Sequence, residues 1–483
     1  MAFVGDNLTA FAAQNPDGAA LRCGSAGWTW RELLRDIAAV EGHLRSHAPR
    51  AGRILLLLRD PAALLICFFA CARTGRIAVV ADAAWPAGLK SDILAGVKPD
   101  LCIDDGSFAA ARRHLAPRPV PDAADTDAPP EAADLFYAGF TSGTSGLPKG
   151  YVRTHGSWLE SFELSNRMFG PAQADRVVLP GGLTHSLHLY GAVCGLAYGR
   201  EVVLLPRFDP RNLLAELASA GSGATLYATP TQLHYLCAAA RRLGPVEAVR
   251  QVLASGAKWG EEDRKALAGV FPQARLIEFY GASETSFIAI AAPEDTVPAG
   301  SVGRAAPGVR IVIGDPRNPA AAGRSGPVWV RSGMLFSGYI CGEAPQTRWH
   351  DGWLTFGDNG FLDSDGFLFL TGRGNRMIIT GGLNVYPEEV EAVLVDHPAV
   401  AVAVVAGLPD SVRGQRLEAV VQLCRPLTDP ADVLQRHCRD RLAAGKVPRN
   451  FHIRESLPLT AGGKPDIQRI VSDLLGEQGR EKA

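Results

Sequence analysis

The segment Tyr137 to Gly150, YAGFTSGTSGLPKG, runs from an apolar stretch into hydroxyls and glycines and closes on Lys149. Small residues let backbone N–H groups approach phosphate oxygens, hydroxyls add donors, and the lysine adds positive charge. A triphosphate is the expected ligand. A P-loop nucleotide binder needs a Ser or Thr directly after GK to reach magnesium, whereas Lys149 is followed by Gly150 and Tyr151. That pattern is therefore excluded. No GxGxxG follows a strand pattern either, which disfavours a dinucleotide-dependent dehydrogenase.

Further motifs follow in order along the chain. They are EFYGASET around Tyr280 to Glu284, GSVGRAAPG (Gly300 to Gly308), GPVWVRS (Gly326 to Ser332), and TFGDNGFLDSDGFLFLTGR, which carries Asp358 and Arg373. GRGNRMIITGGLNVYPEEVE (Gly372 to Glu391) and LPLTAGGKPD with Lys464 complete the series. With FTSGTSGLPKG, and running from Trp28-Thr29-Trp30 to Lys464, this set resembles the adenylate-forming superfamily, and within it the acyl- and aryl-CoA ligase branch. Peptide-synthetase adenylation domains and luciferases belong to the same superfamily. Ser283 stands where the family usually has threonine.

The resemblance implies a reaction. A free carboxylate resists nucleophiles because it is anionic and lacks a good leaving group; joining it to AMP removes both obstacles. Attack on the ATP α-phosphate brings anions together, so catalysis is mainly positioning and electrostatics. By the resemblance, Thr141, Ser142, Gly143, Thr144, Ser145, Gly146 and Lys149 would hold the β- and γ-phosphates. Glu284, with Thr144, would ligate Mg²⁺, a hard cation that prefers oxygen ligands. Ala257, Tyr280, Gly281 and Ser283 would line the nucleotide. Asp358 would accept from the ribose hydroxyls, and Arg373 would assist at ribose or phosphate. Lys464 would reach the α-phosphate and substrate carboxylate during adenylation. The C-terminal domain would then turn, bringing Gly381 and Gly382 toward the acceptor thiol. The pivot in such proteins is usually Asp or Lys; the matching residue here is Asn375.

GGLTHSLHLYG (Gly181 to Gly191) matches the element where carboxylate-activating members carry a histidine or aromatic beside the acyl pocket. By spacing to Gly191, His188 is the nearer match and His185 the second; the alternative for either is a core histidine. Amino-acid-activating members usually place an Asp here to hold the substrate ammonium, and none occurs between Gly181 and Gly191. An unaminated carboxylic acid, fatty or aromatic, is expected. Tyr227, Thr229, Ser255, Gly256 and Ala282 resemble further pocket positions. The expected cofactors are ATP and Mg²⁺, with coenzyme A as acceptor; the alternatives are a carrier protein's phosphopantetheine as acceptor, or a catalytically weak nucleotide sensor.

These residues must be positioned by an α/β fold. Short apolar runs alternate with helical patterns: strand Ile54 to Leu58, a helix after Pro61, and strand Ile77 to Ala81. Strands Arg176 to Leu179, Glu201 to Leu205, Ala224 to Tyr227, Val249 to Leu253 and Arg275 to Phe279 then alternate with helices. Such alternation predicts layered sheets with flanking helices and ligand crevices at the strands' carboxyl ends. Ala116 to Asp134, rich in Ala, Pro and Asp, reads as an exposed connector. Between Gly300 and Thr371 the helical period gives way to short strands, which predicts a small antiparallel β unit. From Arg376 a compact α+β pattern appears, with a helix from Pro387. The expected division is 1–374 for a large N-terminal domain and 375–483 for a small mobile C-terminal domain.

Composition bounds the rest. With 49 basic and 50 acidic side chains among 483 residues the net charge is −1, which argues against nucleic-acid binding. The 47% hydrophobic and 20% charged fractions are those of an ordinary globular chain. Nine scattered cysteines without a CxxC pair read as reduced, buried thiols of a cytoplasmic protein. The N-terminus lacks a secretory pattern, and the apolar stretch Ala62 to Ala72 falls well short of the roughly 20 residues a spanning helix needs. A buried helix is expected there.

Overall fold

The computed structural model describes the chain apart from residues 114–127, 142–147, 170–173, 222, 242–243, 256–260, 293, 343, 374–375, 377, 381–382, 411–413, 443, 461–462 and 482–483. For residues 111–113, 261–263, 373, 379, 383–384, 414 and 478–481 it describes the backbone alone.

Runs of Val, Leu and Ile bury both faces of a parallel sheet. Ala19–Cys23, Glu201–Leu204, Arg176–Leu179, Ala224–Ala228, Val249–Ala254 and Arg275–Tyr280 lie side by side in that order, all parallel. The intervening helices cover the sheet, among them Ser186–Ala197, Pro210–Ala218, Pro230–Ala240 and Glu261–Val270. Ala289–Ala291 and Ser301–Ala305 continue the sheet antiparallel, and Phe367–Arg373, Asp358–Leu362 and Gly326–Arg331 follow. The predicted antiparallel strands are thus present. The pairing of Ser301 with Phe369 welds them onto the parallel sheet.

A second sheet of six strands orders Gly338–Cys341, Lys149–Thr154, Leu135–Thr141, Ile77–Val80, Arg53–Leu57 and Leu101–Asp104. Helix Pro61–Arg73 opens with Asp60, whose side chain caps Ala62 N at 2.9 Å, and with Pro61, which needs no partner in the first turn. Ala62 to Ala72 are buried without exception, as a helix apolar on every side requires. Phe68 meets Phe136, Tyr137 and Trp158 there. His155 stacks on Phe136 at 4.5 Å, and its Nδ1 accepts from Val4 N at 3.1 Å.

From Ile378 onward five strands form their own sheet, Leu383–Val385, Ile378–Thr380, Gly414–Leu423 and Val400–Asp410, with Asn450–Arg454 parallel to Gly414–Leu423. Helices Pro387–Val395 and Pro430–Arg439 pack a separate core around Val385, Val390, Leu394 and Leu434. The expected boundary at 374–375 falls outside the described residues, as does most of the expected connector. All nine cysteines are free, yet two are exposed: Cys102 lies on the edge strand Leu101–Asp104, and Cys424 just past the end of strand Gly414–Leu423. Among the described residues no helix is long and apolar enough to cross a membrane.

Candidate active site

The phosphate-type loop joins two antiparallel strands. Thr141 ends Leu135–Thr141, Lys149 begins Lys149–Thr154, and the two residues are cross-strand partners. A P-loop would lead into a helix, so this hairpin accords with the exclusion drawn from the residue after Lys149. Ser142, Gly143, Thr144, Ser145 and Gly146 lie outside the described residues. The Lys149 ammonium lies over the Tyr339 ring, 5.4 Å from its centroid.

Glu284 sits on the turn that follows strand Arg275–Tyr280 and is 5% exposed. Two hydroxyls converge on its Oε1: Thr141 Oγ1 donates at 3.3 Å and the Tyr339 hydroxyl at 2.9 Å. Oε2 accepts no hydrogen bond among the described residues. That suits a hard cation, which takes few protein ligands when polyphosphate oxygens complete its shell. No cluster of three or more metal-ligating side chains occurs among the described residues.

The Glu284 turn is tightly built. Gly281 has no room for a side chain, since a Cβ would overlap the Ser286 carbonyl oxygen. Ser286 itself adopts φ +58°, the left-handed region. Ala282 N donates to Thr285 Oγ1 at 2.9 Å, and Phe336 N donates to the Glu284 carbonyl at 2.8 Å. Ser283 Oγ pairs with Ser186 Oγ at 2.8 Å, which ties the turn to the helix of the histidine element.

Tyr280 donates its hydroxyl to Asp358 Oδ2, and Asp358 is 5% exposed. Asp358 and Arg373 face each other across neighbouring antiparallel strands; the Arg373 side chain is outside the described residues. Gly372 adopts φ +141°, and a Cβ there would lie 2.6 Å from Tyr386 Cβ, so the strand's end and the start of the C-terminal helices touch closely.

His188 is buried on helix Ser186–Ala197, packed over Gly181, with the Gln232 side chain and Gly182 backbone as polar neighbours. Burial drives its pKa down to about 4, so it is neutral near pH 7. His185, just before that helix, is lowered to about 3 by burial first, then by His188 and the charge of Lys464. The two rings are 5.6 Å apart. Tyr227 is buried, its ring tight against Gly191. Thr229, buried as well, serves as a helix cap: its Oγ1 accepts from Gln232 N at 3.4 Å while its N donates to Gln232 Oε1 at 2.9 Å. Ser255 follows the end of strand Val249–Ala254. Gly256, Ala257, Asn375, Gly381 and Gly382 lie outside the described residues.

Lys464 stands on a hairpin closed by Thr460 N to Lys464 O at 2.7 Å and Gly463 N to Thr460 O at 2.9 Å. That turn reaches the carboxyl ends of the parallel strands: a methyl on Gly463 would lie 3.5 Å from Thr229 Oγ1. The fold therefore brings Lys464 to the side of the sheet that carries Thr229 and His185, and its strand ends bring Glu284 to the same side.

Sequence reasoning missed Tyr339, Ser186 and Arg153. Tyr339 follows a glycine in an unremarked stretch, and Ser186 sits inside the histidine element; neither carried a signal by itself. Arg153, three residues beyond Gly150, is 1% exposed. Burial lowers its pKa to about 10, which leaves it charged near neutrality.

An AMP-binding enzyme family model matches residues 8–340, and an AMP-binding enzyme C-terminal domain model matches residues 389–464. The chain is 35% identical over 477 residues to an uncharacterized acyl–CoA ligase, YhfT, of Bacillus subtilis, covering 95% of this chain and 96% of that protein. It is 30% identical over 476 residues to the 2-succinylbenzoate–CoA ligase of Bacillus licheniformis, covering 94% and 96%. The solved o-succinylbenzoate CoA synthetase of Bacillus subtilis, in complex with its acyl-adenylate intermediate, superposes with a TM-score of 0.81 at 26% identity, covering 96% and 97%. The same synthetase has been solved with ATP and a magnesium ion, at a TM-score of 0.81 and 25% identity, covering 96% and 98%.

Proposed function

Since the chain belongs to the AMP-binding enzyme family, in its acyl-CoA ligase branch, we propose that its own residues Glu284, Asp358 and Lys464 activate an unaminated carboxylic acid. The protein is an ATP-dependent, AMP-forming ligase: carboxylate and ATP give acyl-AMP and pyrophosphate, and a thiol then displaces AMP to give a thioester.

The observation that carries the residue assignment is the approach of the Lys464 turn to Thr229 and His185, where the Ser186–Ser283 hydrogen bond also ties in the Glu284 turn. Lys464 would neutralise charge where the carboxylate meets the α-phosphate. Thr141 and Lys149 would hold the outer phosphates, with Ser142 to Gly146 between them. Mg²⁺, when bound, would supply charge neutralisation at the polyphosphate, with Glu284 Oε2 as its protein oxygen and Thr144 as the second ligand the resemblance implies. Asp358, oriented by the Tyr280 hydroxyl, would accept from the ribose, with Arg373 beside it.

An unaminated acid is supported by what the histidine element lacks and holds. It offers no carboxylate between Gly181 and Gly191, and burial keeps both histidines uncharged near neutrality. A substrate ammonium would find no counter-charge from that element. Residues 375–483 would act as the mobile domain, a reading supported by their separate sheet and core. Coenzyme A is the proposed acceptor and the cytoplasm the proposed site of action; the acyl-CoA ligase relatives support the first.

The test is a panel of short, medium and long fatty acids, benzoates, cinnamates and amino acids with ATP and Mg²⁺, read by pyrophosphate release with and without coenzyme A. An unaminated acid should turn over repeatedly only when coenzyme A is present. Accumulated acyl-AMP that coenzyme A does not discharge would instead point to a carrier-protein thiol, and preference for an amino acid would overturn the substrate reading.

A further inference from the structure

Resting on the assignment of Glu284 as the metal-facing carboxylate, we propose that Arg153 is a positioning residue for nucleotide activation: its buried guanidinium sets the Glu284 turn before Mg²⁺ and ATP arrive.

Arg153 lies on strand Lys149–Thr154, four residues after Lys149, with Tyr151 and Val152 buried beside it. A leucine would fill such a place without the desolvation penalty of a charge. What the guanidinium adds is a rigid fork of donors. Nη1 donates to the Ser283 carbonyl at 2.8 Å, and Nη2 donates to Ser286 Oγ at 3.0 Å and to the Met334 carbonyl at 2.8 Å. Nε donates to Ser157 Oγ at 3.1 Å. No carboxylate lies within ion-pair distance of it among the described residues. Its partners are therefore neutral acceptors, and three of them belong to the machinery around Glu284.

Ser283 and Ser286 bracket Glu284 on both sides, and Ser286 holds the left-handed conformation that lets the turn close. Met334 begins the segment whose Phe336 N grips the Glu284 carbonyl and whose Tyr339 hydroxyl donates to Glu284 Oε1. One guanidinium thus connects the strand that starts at Lys149, the turn that carries Glu284, and the segment that carries Tyr339. These three elements are far apart in sequence and must hold a fixed geometry for one carboxylate oxygen to stay turned toward the cation.

The experiment titrates full-length protein with ATP by calorimetry, once in MgCl₂ and once in EDTA, for wild type, Arg153→Met and Arg153→Lys. Wild type should bind ATP more tightly with Mg²⁺. Arg153→Met should lose at least tenfold of that enhancement while its affinity in EDTA stays within about threefold. Arg153→Lys keeps the charge but not the fork, so it should fold with a near-normal thermal midpoint and still lose threefold or more of the enhancement. A wild-type enhancement retained by folded Arg153→Lys, or by folded Arg153→Met, overturns the proposal. If wild type itself shows no Mg²⁺ enhancement, the Glu284 assignment fails, and the Arg153 proposal fails with it.

Discussion

Lys464 is held by a turn rather than by burial. Thr460 and Lys464 close the hairpin on each other, so the backbone is set although the residue is exposed as a whole. Backbone groups close the hairpin, so removing the side chain should act mainly on chemistry. Lys464→Ala is expected to slow acyl-AMP formation roughly a hundredfold or more, about the loss of one oriented transition-state donor. Thioester formation from supplied acyl-AMP and coenzyme A should be nearly unchanged, measured separately by AMP release. Near-normal acyl-AMP formation would remove Lys464 from the reaction.

At the scale of elements, the Glu284 turn works because it is short of space. Gly281 lies against the Ser286 carbonyl, so Gly281→Ala must push the turn open and shift the groups that Arg153 grips. The expected cost is on the order of 2 kcal/mol in stability, seen as a lower thermal midpoint, together with weaker Mg²⁺-dependent ATP binding. Gly27→Ala, where a Cβ would meet nothing within 4 Å, is the matched control and should change neither. Equal behaviour of the two variants would contradict this account.

The same scale explains what the amino-acid order does and does not reveal. The parallel strands are legible because burial on both faces demands unbroken apolar runs, so Arg176–Leu179 matches its expected bounds. Strand Lys149–Thr154 was not legible, since KGYVRT carries two cations and reads as polar. The acceptors that make a buried Arg153 intelligible include the Ser283 and Met334 carbonyls, 130 and 181 residues away. Tyr339 likewise acquires meaning through Glu284, 55 residues earlier. The motif residues Glu284, Asp358 and Lys464 were found through family resemblance, because a lone acid in a turn or a lone lysine has no local signature. The joining of the antiparallel strands to the main sheet depends on long-range pairing and is invisible to any local pattern.

For the whole molecule, buried histidines set an acid limit. His155 and His188 are each pushed down to about 4 by burial, against an ordinary value near 6.5. The unfolded chain therefore binds protons that the native protein refuses between those values. Their contribution is complete above about pH 6.5 and is lost as pH falls toward 4, on the order of several kcal/mol together. Thermal midpoints should fall across that window. His155→Phe would leave Val4 N without its acceptor and be less stable at pH 7.5, by about 1–3 kcal/mol, yet its midpoint should decline less steeply between pH 6.5 and 4. Parallel curves for the two proteins would rule out His155 as a source of the slope.

Helix Pro61–Arg73 also bears on how the protein is made. Its buried ring of side chains is completed by Phe136, Tyr137 and Trp158, which leave the ribosome well after it does. At about 5–20 residues per second, the helix waits on the order of 5 to 20 s for those partners. During that interval a strongly apolar segment is a natural client for a holding chaperone. A fragment released at Glu131 should accordingly bind a hydrophobic dye and aggregate, whereas a soluble, dye-silent fragment would mean that another part of the early chain shields the helix.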